Sequence, residues 1–141
     1  IQKLIEVRED LKRRFEILTS IPGIANVTAA GLITHMPELG SLTGPRAASL
    51  AGLAPVTRES GSWKGRSFIQ GGREKVRRRL YMPAVAAIRC NPHLGAKYAA
   101  LRHAGKPAKV AITAIMRKLV VLANTLVQQD RLWTPRPEPS A

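Results

Sequence analysis

Leu18-Thr19-Ser20-Ile21-Pro22-Gly23-Ile24-Ala25-Asn26-Val27-Thr28-Ala29-Ala30-Gly31-Leu32-Ile33 is the stretch whose reading decides the fold. Leu4, Leu11, Phe15 and Leu18 enter it at helical spacing, among Glu6, Glu9, Asp10, Lys12, Arg13 and Arg14. That pattern predicts an amphipathic helix. Pro22-Gly23 stops it near Ser20, and a second helix restarts between Asn26 and Thr28. Two helices joined by a tight turn make this region helical, and the chain continues in the same manner.

Working outward, Gly40 to Pro45 reads as a second loop and Arg46 to Ala51 as a short helix. Leu53 to Gly72 keeps neither period and reads as glycine- and serine-rich loop with room for a short hairpin. Arg73 to about Cys90 is helical, with Pro83 expected to interrupt or kink it. Asn91-Pro92 breaks the chain before a short helix from Leu94 to about Ala104. Pro107 suits the first turn of a last helix, which runs to about Gln129 with Val110, Ile112, Ile115, Leu119, Val120, Leu122 and Leu126 as its apolar face. The fold class is therefore mainly α. The expected organisation is a helix continuing from an upstream domain over 1–17, one domain over 18–129, and a disordered tail over 130–141.

The chain has 141 residues and a formal net charge of +14, which suits one domain with a modest core. Residues 50–120 hold 15 basic and 2 acidic side chains, so nearly all the excess lies in that block. A field so concentrated favours a polyanionic partner, with nucleic acid ahead of an acidic protein or an anionic membrane surface. No apolar run is read as reaching the ~18 residues of a membrane span, and no membrane partner is expected. Cys90 is the only cysteine, which excludes an intrachain disulfide and a cysteine-based zinc site. His35, His93 and His103 lack metal-site spacing, so no metal is expected within the chain.

Residues 58–72 carry the chemistry. Ser60, Ser62 and Ser67 sit among Arg58, Lys64 and Arg66, with glycines at 61, 65, 71 and 72. Hydroxyls in fixed positive charge on a pliant backbone suit phosphate handling. A serine is a poor nucleophile until a base takes its proton, and no His lies near Ser60 in sequence, so the base or metal would come from another domain. The plain reading is a solvated basic turn.

Two further segments point the same way. Leu18 to Ile33 resembles a helix-hairpin-helix, a DNA-binding element whose turn reads roughly Pro-Gly-Ile-Gly; here Ala25 replaces the last glycine. In that geometry the backbone around Gly23, Ile24 and Asn26 presents N–H groups to a phosphate. Arg73, Lys75, Arg77, Arg78 and Arg79 place five cations in seven residues, with Glu74 as the only nearby counter-charge in sequence. Trp63 could stack on a base or simply pack. Leu101-Arg102-His103 matches a tripeptide of tyrosine recombinases, but those need a downstream tyrosine and the last here is Tyr98.

Ile21-Pro22-Gly23-Ile24, Gly52-Leu53-Ala54-Pro55, Ser60-Gly61, the basic run to Arg79-Leu80 and Gly105-Lys106, in that order, resemble the C-terminal domain of IS110/IS116-type insertion-sequence transposases, which include Piv-type DNA invertases. The likeness covers about residues 15–128. It implies an upstream RuvC-like domain with an acidic Asp-Glu-Asp-Asp site for magnesium, and a C-terminal domain holding a serine required for recombination. By that resemblance Ser60 is the nucleophile, with Ser62 as the fallback. It also implies DNA as partner, a bridge RNA as guide in some members, a homo-oligomer when full length, and a cytoplasmic, nucleoid-associated location. The reading is a transposase domain that supplies the serine, inactive alone. The alternative is a non-catalytic helix-hairpin-helix DNA-binding module, and a third is an RNA-binding ribonucleoprotein component.

Overall fold

The structure is a computed structural model that describes residues 2–53, 55–56, 59–60, 63–64, 68–69 and 72–135. Its helices are α1 (Gln2–Ser20), α2 (Asn26–His35), α3 (Gly44–Leu50), α4 (Glu74–Cys90), α5 (Pro92–His103) and α6 (Ala108–Gln128). Between α3 and α4 lie four two-residue strands, β1 (Pro55–Val56), β2 (Glu59–Ser60), β3 (Trp63–Lys64) and β4 (Phe68–Ile69). The protein is mainly helical, as its punctuation predicts. The stop at Ser20 and the restart at Asn26 fall where Pro22-Gly23 puts them.

Helix α6 is the axis of the core. It buries Ala111, Ile115, Met116, Leu119, Val120, Ala123 and Leu126, a face wide enough to receive α1, α3, α4 and α5 at once. Helix α2 packs instead on α1 and α4. By length and composition α6 could cross a membrane, which corrects the expectation that no apolar run reaches that size. Here its apolar face forms the centre of the helical core.

Of the two outcomes expected at Pro83, an interruption does not occur: α4 runs through it. Proline lacks the N–H that would reach the carbonyl four residues earlier, yet Leu80, Pro83, Ala84 and Ala87 are all buried, so packing on both sides carries the helix through. Helix α2 runs antiparallel to α4. Gly23 abuts Pro83 and Ala87, Gly31 lies under Arg79, and His35 reaches Arg73 and Arg79.

Two buried asparagines fix the connections. Asn124 on α6 accepts from the Gly40 N–H and donates to the Leu42 carbonyl, both at 2.7 Å, which ties the loop before α3 to the core. Asn91 caps α5 by accepting from the N–H groups of His93 (3.2 Å) and Leu94 (3.3 Å). Beyond α6, the Arg131 N–H donates to the Leu126 carbonyl, and the Trp133 N–H donates to Ser20 Oγ at 2.8 Å. The tail expectation also covers 136–141, which lie outside the described residues.

Candidate functional site

The serine-bearing stretch leaves the core through a narrow neck. Gly52 and Gly72 both hold positive φ (72° and 74°), and their backbones touch. A Cβ at position 72 would fall inside contact distance of the Gly52 nitrogen and Cα, and 2.9 Å from the Ser49 carbonyl oxygen. Only glycine fits there, on both conformational and steric grounds. The Arg73 N–H donates to the Leu50 carbonyl (2.8 Å), and Arg117 Nε on α6 donates to the Leu53 carbonyl (2.9 Å). Both legs are thus pinned where they meet the helices.

Past the neck, β1 pairs antiparallel with β4 (Pro55 opposite Ile69, Val56 opposite Phe68). Further out, β2 pairs with β3, with Glu59 opposite Lys64 and Ser60 opposite Trp63. Ser60 is the last residue of its strand, and a two-residue link separates it from Trp63. The short hairpin allowed by the sequence is present as this paired ribbon. Of the other expected residues here, Arg58, Ser62 and Arg66 lie outside the described residues.

The basic run occupies the start of α4, beside the neck. Val76 and Leu80 face the core, while Lys75, Arg78 and Arg79 are exposed. Glu74 is not the only counter-charge. Arg73 Nη1 lies 2.6 Å from Glu38 Oε2 and donates to the His35 carbonyl at 3.0 Å. The Glu38 oxygen is shielded from solvent and takes no well-aligned hydrogen bond, so its match to Arg73 is one of charge rather than of direction. Arg73 therefore braces the loop after α2 against the neck. Arg78 pairs with Glu74 at 2.7 Å, but both are exposed, and such a pair is worth only about 0.3–0.5 kcal/mol. A phosphate can displace it cheaply. Arg79 stretches over Gly31 to His35 Nε2 at 3.2 Å, and Arg77 is also engaged.

At the hairpin, Gly23 has φ 107°, and a Cβ there would meet the Pro83 carbonyl oxygen at 2.8 Å. Ile24 is buried and its N–H is taken by the Ile21 carbonyl at 3.0 Å, so it serves the turn itself. Asn26 opens α2, whose N-terminus has no side-chain cap because Ala25 stands there. The exposed first turn leaves amide hydrogens facing solvent. This end of α2 lies beside Ala87, fourteen residues along α4 from Arg73, or about 21 Å at 1.5 Å per residue. The turn and the basic run are thus separate contacts at opposite ends of one helix.

Sequence reasoning missed Arg117 and Glu38, and it took Gly52 only as part of a motif, without its contact to Gly72. Each acts through a partner at least twenty residues away, which no local pattern signals. Among the described residues no three of His, Cys, Asp and Glu converge as a metal site.

Residues 15–99 match the Transposase IS116/IS110/IS902 family. The chain is 32% identical to a pilin gene-inverting protein of Moraxella bovis over 140 residues, covering 96% of this chain and 44% of that protein. It is 30% identical to an IS110 insertion-element protein of Streptomyces coelicolor, covering 85% of this chain and 30% of the other. A Streptomyces clavuligerus IS116 insertion-element protein is 32% identical, covering 94% and 34%. The chain spans less than half the length of these curated relatives. A family match over more than half its residues, with gene-inverting and insertion-element proteins aligned across nearly all of it, means that the chain belongs to the Transposase IS116/IS110/IS902 family.

Proposed function

We propose that this chain is the part of a DNA transposase or recombinase that presents Ser60 to a phosphodiester. The observation that carries the reading is the neck. An excursion clamped by Gly52, Gly72, Arg73 and Arg117 carries the Ser-Gly segment away from a rigid helical core. A nucleophile must be held in place, and two pinned legs of paired backbone supply that condition.

In this reading Ser60 Oγ attacks phosphorus. The Oγ–P bond forms, the bond from phosphorus to one deoxyribose oxygen breaks, and that oxygen leaves with a proton. The serine proton passes to a base from the RuvC-like domain, which would also hold magnesium. The linkage keeps a phosphodiester, so attack by a second strand's hydroxyl can reverse the step and join new partners. Arg58, Lys64 and Arg66 offset charge on the attacked phosphate. Lys75, Arg78 and Arg79 hold the DNA backbone beside the neck. Full length, the protein would act in the cytoplasm on DNA as a homo-oligomer, with a bridge RNA as a possible guide.

The test is a denaturing gel of the intact protein with labelled DNA and magnesium. Ser60→Ala should abolish the covalent adduct and strand exchange while leaving DNA affinity within a few fold, because it removes no charge. This chain alone should form no adduct. An adduct that survives Ser60→Ala and vanishes with Ser62→Ala moves the role to Ser62. One that persists in both variants refutes the serine mechanism.

The second reading, a helix-hairpin-helix module without catalysis, draws on the uncapped start of α2. With Asn26 exposed and no side chain occupying the first amides, that terminus suits a phosphate. Both readings take DNA as the partner, at opposite ends of α4. The adduct separates them.

A further inference from the structure

Helices α5 and α6 and the stretch after α6 enclose a groove of about 900 Å³. Five basic side chains line it: His93 and Lys97 from α5, Arg117 and Lys118 from α6, and Arg131 beyond α6. No Asp or Glu lines it. Val121, Leu122 and Trp133 add apolar surface to its lining, and the backbone N–H of Trp133 donates to Ser20 Oγ. None of these residues belongs to the serine segment, the hairpin or the basic run of α4.

We propose that this groove binds a single-stranded nucleic-acid segment. Charge decides the sign of the occupant, since Lys97, Arg117, Lys118 and Arg131 without a carboxylate attract a polyanion. Shape and lining decide which polyanion. A duplex keeps its bases paired and stacked, so it offers an indole no free base face. A single strand offers phosphates and unstacked bases together. A groove lined by basic side chains, apolar side chains and an indole suits that combination. The α5 N-terminus contributes little, because Asn91 already occupies the amides of His93 and Leu94. Binding therefore rests on the side chains.

Arg117 gives the groove a further meaning. It lines the groove and through Nε holds the Leu53 carbonyl at the neck. A strand lying in the groove therefore touches the side chain that ties down the root of the serine segment. The binding itself is independent of the serine chemistry and would persist if Ser60 were inert.

Fluorescence anisotropy of the 141-residue chain, with a labelled 12-nucleotide oligothymidine and a labelled 12-base-pair duplex at several salt concentrations, tests the proposal. Lys97 and Lys118 are exposed, so Lys97→Ala/Lys118→Ala should keep the native circular dichroism. Single-strand affinity should fall about tenfold at 0.1 M salt, and the salt slope should shrink by about 1.4, at roughly 0.7 per lost contact. Duplex affinity should change less than threefold. Lys97→Arg/Lys118→Arg should bind like the parent. In a Trp63→Phe chain, where Trp133 is the only tryptophan, the bound oligonucleotide should quench indole emission. An unchanged single-strand affinity, an equal loss for duplex, or unquenched emission overturns the proposal. Displacement of the oligonucleotide by polyglutamate of matched charge at equal concentration would also overturn it, in favour of an acidic protein. These readouts do not involve an adduct, so their failure and that of the serine mechanism are told apart.

Discussion

Replacing Gly72 by alanine should be far costlier than one methyl group suggests. The residue holds φ 74°, where an L-residue loses about 1–2 kcal/mol. The added Cβ would also overlap the Gly52 backbone and press on the Ser49 carbonyl. Those are main-chain atoms that cannot swing aside as a side-chain tip does, and forced overpacking costs about 1–3 kcal/mol more. Together the loss is about 3 kcal/mol, a large share of the roughly 5–15 kcal/mol that a domain holds. At about 3–5 °C per kcal/mol for this size, Gly72→Ala should melt about 9–15 °C below the parent. Gly105 supplies the control. It has φ 90°, yet nothing lies within 4 Å of a Cβ built there. Gly105→Ala should thus carry only the conformational cost, about 1 kcal/mol, and melt about 3–5 °C lower. Thermal melts by circular dichroism, paired with urea titrations, measure both. If the two variants melt together, Gly52 and Gly72 are not in contact and the neck as described is refuted.

Asn124→Leu should destabilise by about 2–3 kcal/mol, since it strands both the Gly40 N–H and the Leu42 carbonyl in a partly buried loop; a urea midpoint within error of the parent would contradict this. Arg77→Ala/Arg78→Ala should weaken duplex binding for all sequences alike and reduce the salt slope by up to about 1.8, at roughly 0.9 per phosphate contact. Anisotropy titrations across salt check it, and an unchanged slope would move the interface to the α2 terminus.

The helix order was legible because glycine, proline and asparagine mark the breaks. Pro22-Gly23, Asn91-Pro92 and Gly105-Lys106-Pro107 each end or begin a helix within a residue or two of the expected place. Pro83 misled because a local rule met buried neighbours that hold the helix together. The site was legible in its charges and not in its bracing. Arg73 reads as one cation of five until the fold brings Glu38 and the His35 carbonyl to it. The groove was hidden for the same reason. Its basic side chains stand at 93, 97, 117, 118 and 131, too scattered to form a run, and only the packing of α5 on α6 gathers them. The membrane reading failed on α6 because a run of core residues and a membrane span look alike in composition.

The position of α6 along the chain also sets an order in time. Four of the other helices complete their packing only against it, and all of them precede it in the sequence. At about 5–20 residues per second of synthesis, the 21 residues of α6 take roughly one to four seconds to appear, after everything that awaits them. Until then Arg117 does not exist to grip the Leu53 carbonyl. A polypeptide cut short upstream of α6 would carry Ser60 but lack both the core axis and one of the ties on the neck. The segment that carries Ser60 thus gains both of its ties only in chains that the ribosome has carried through α6.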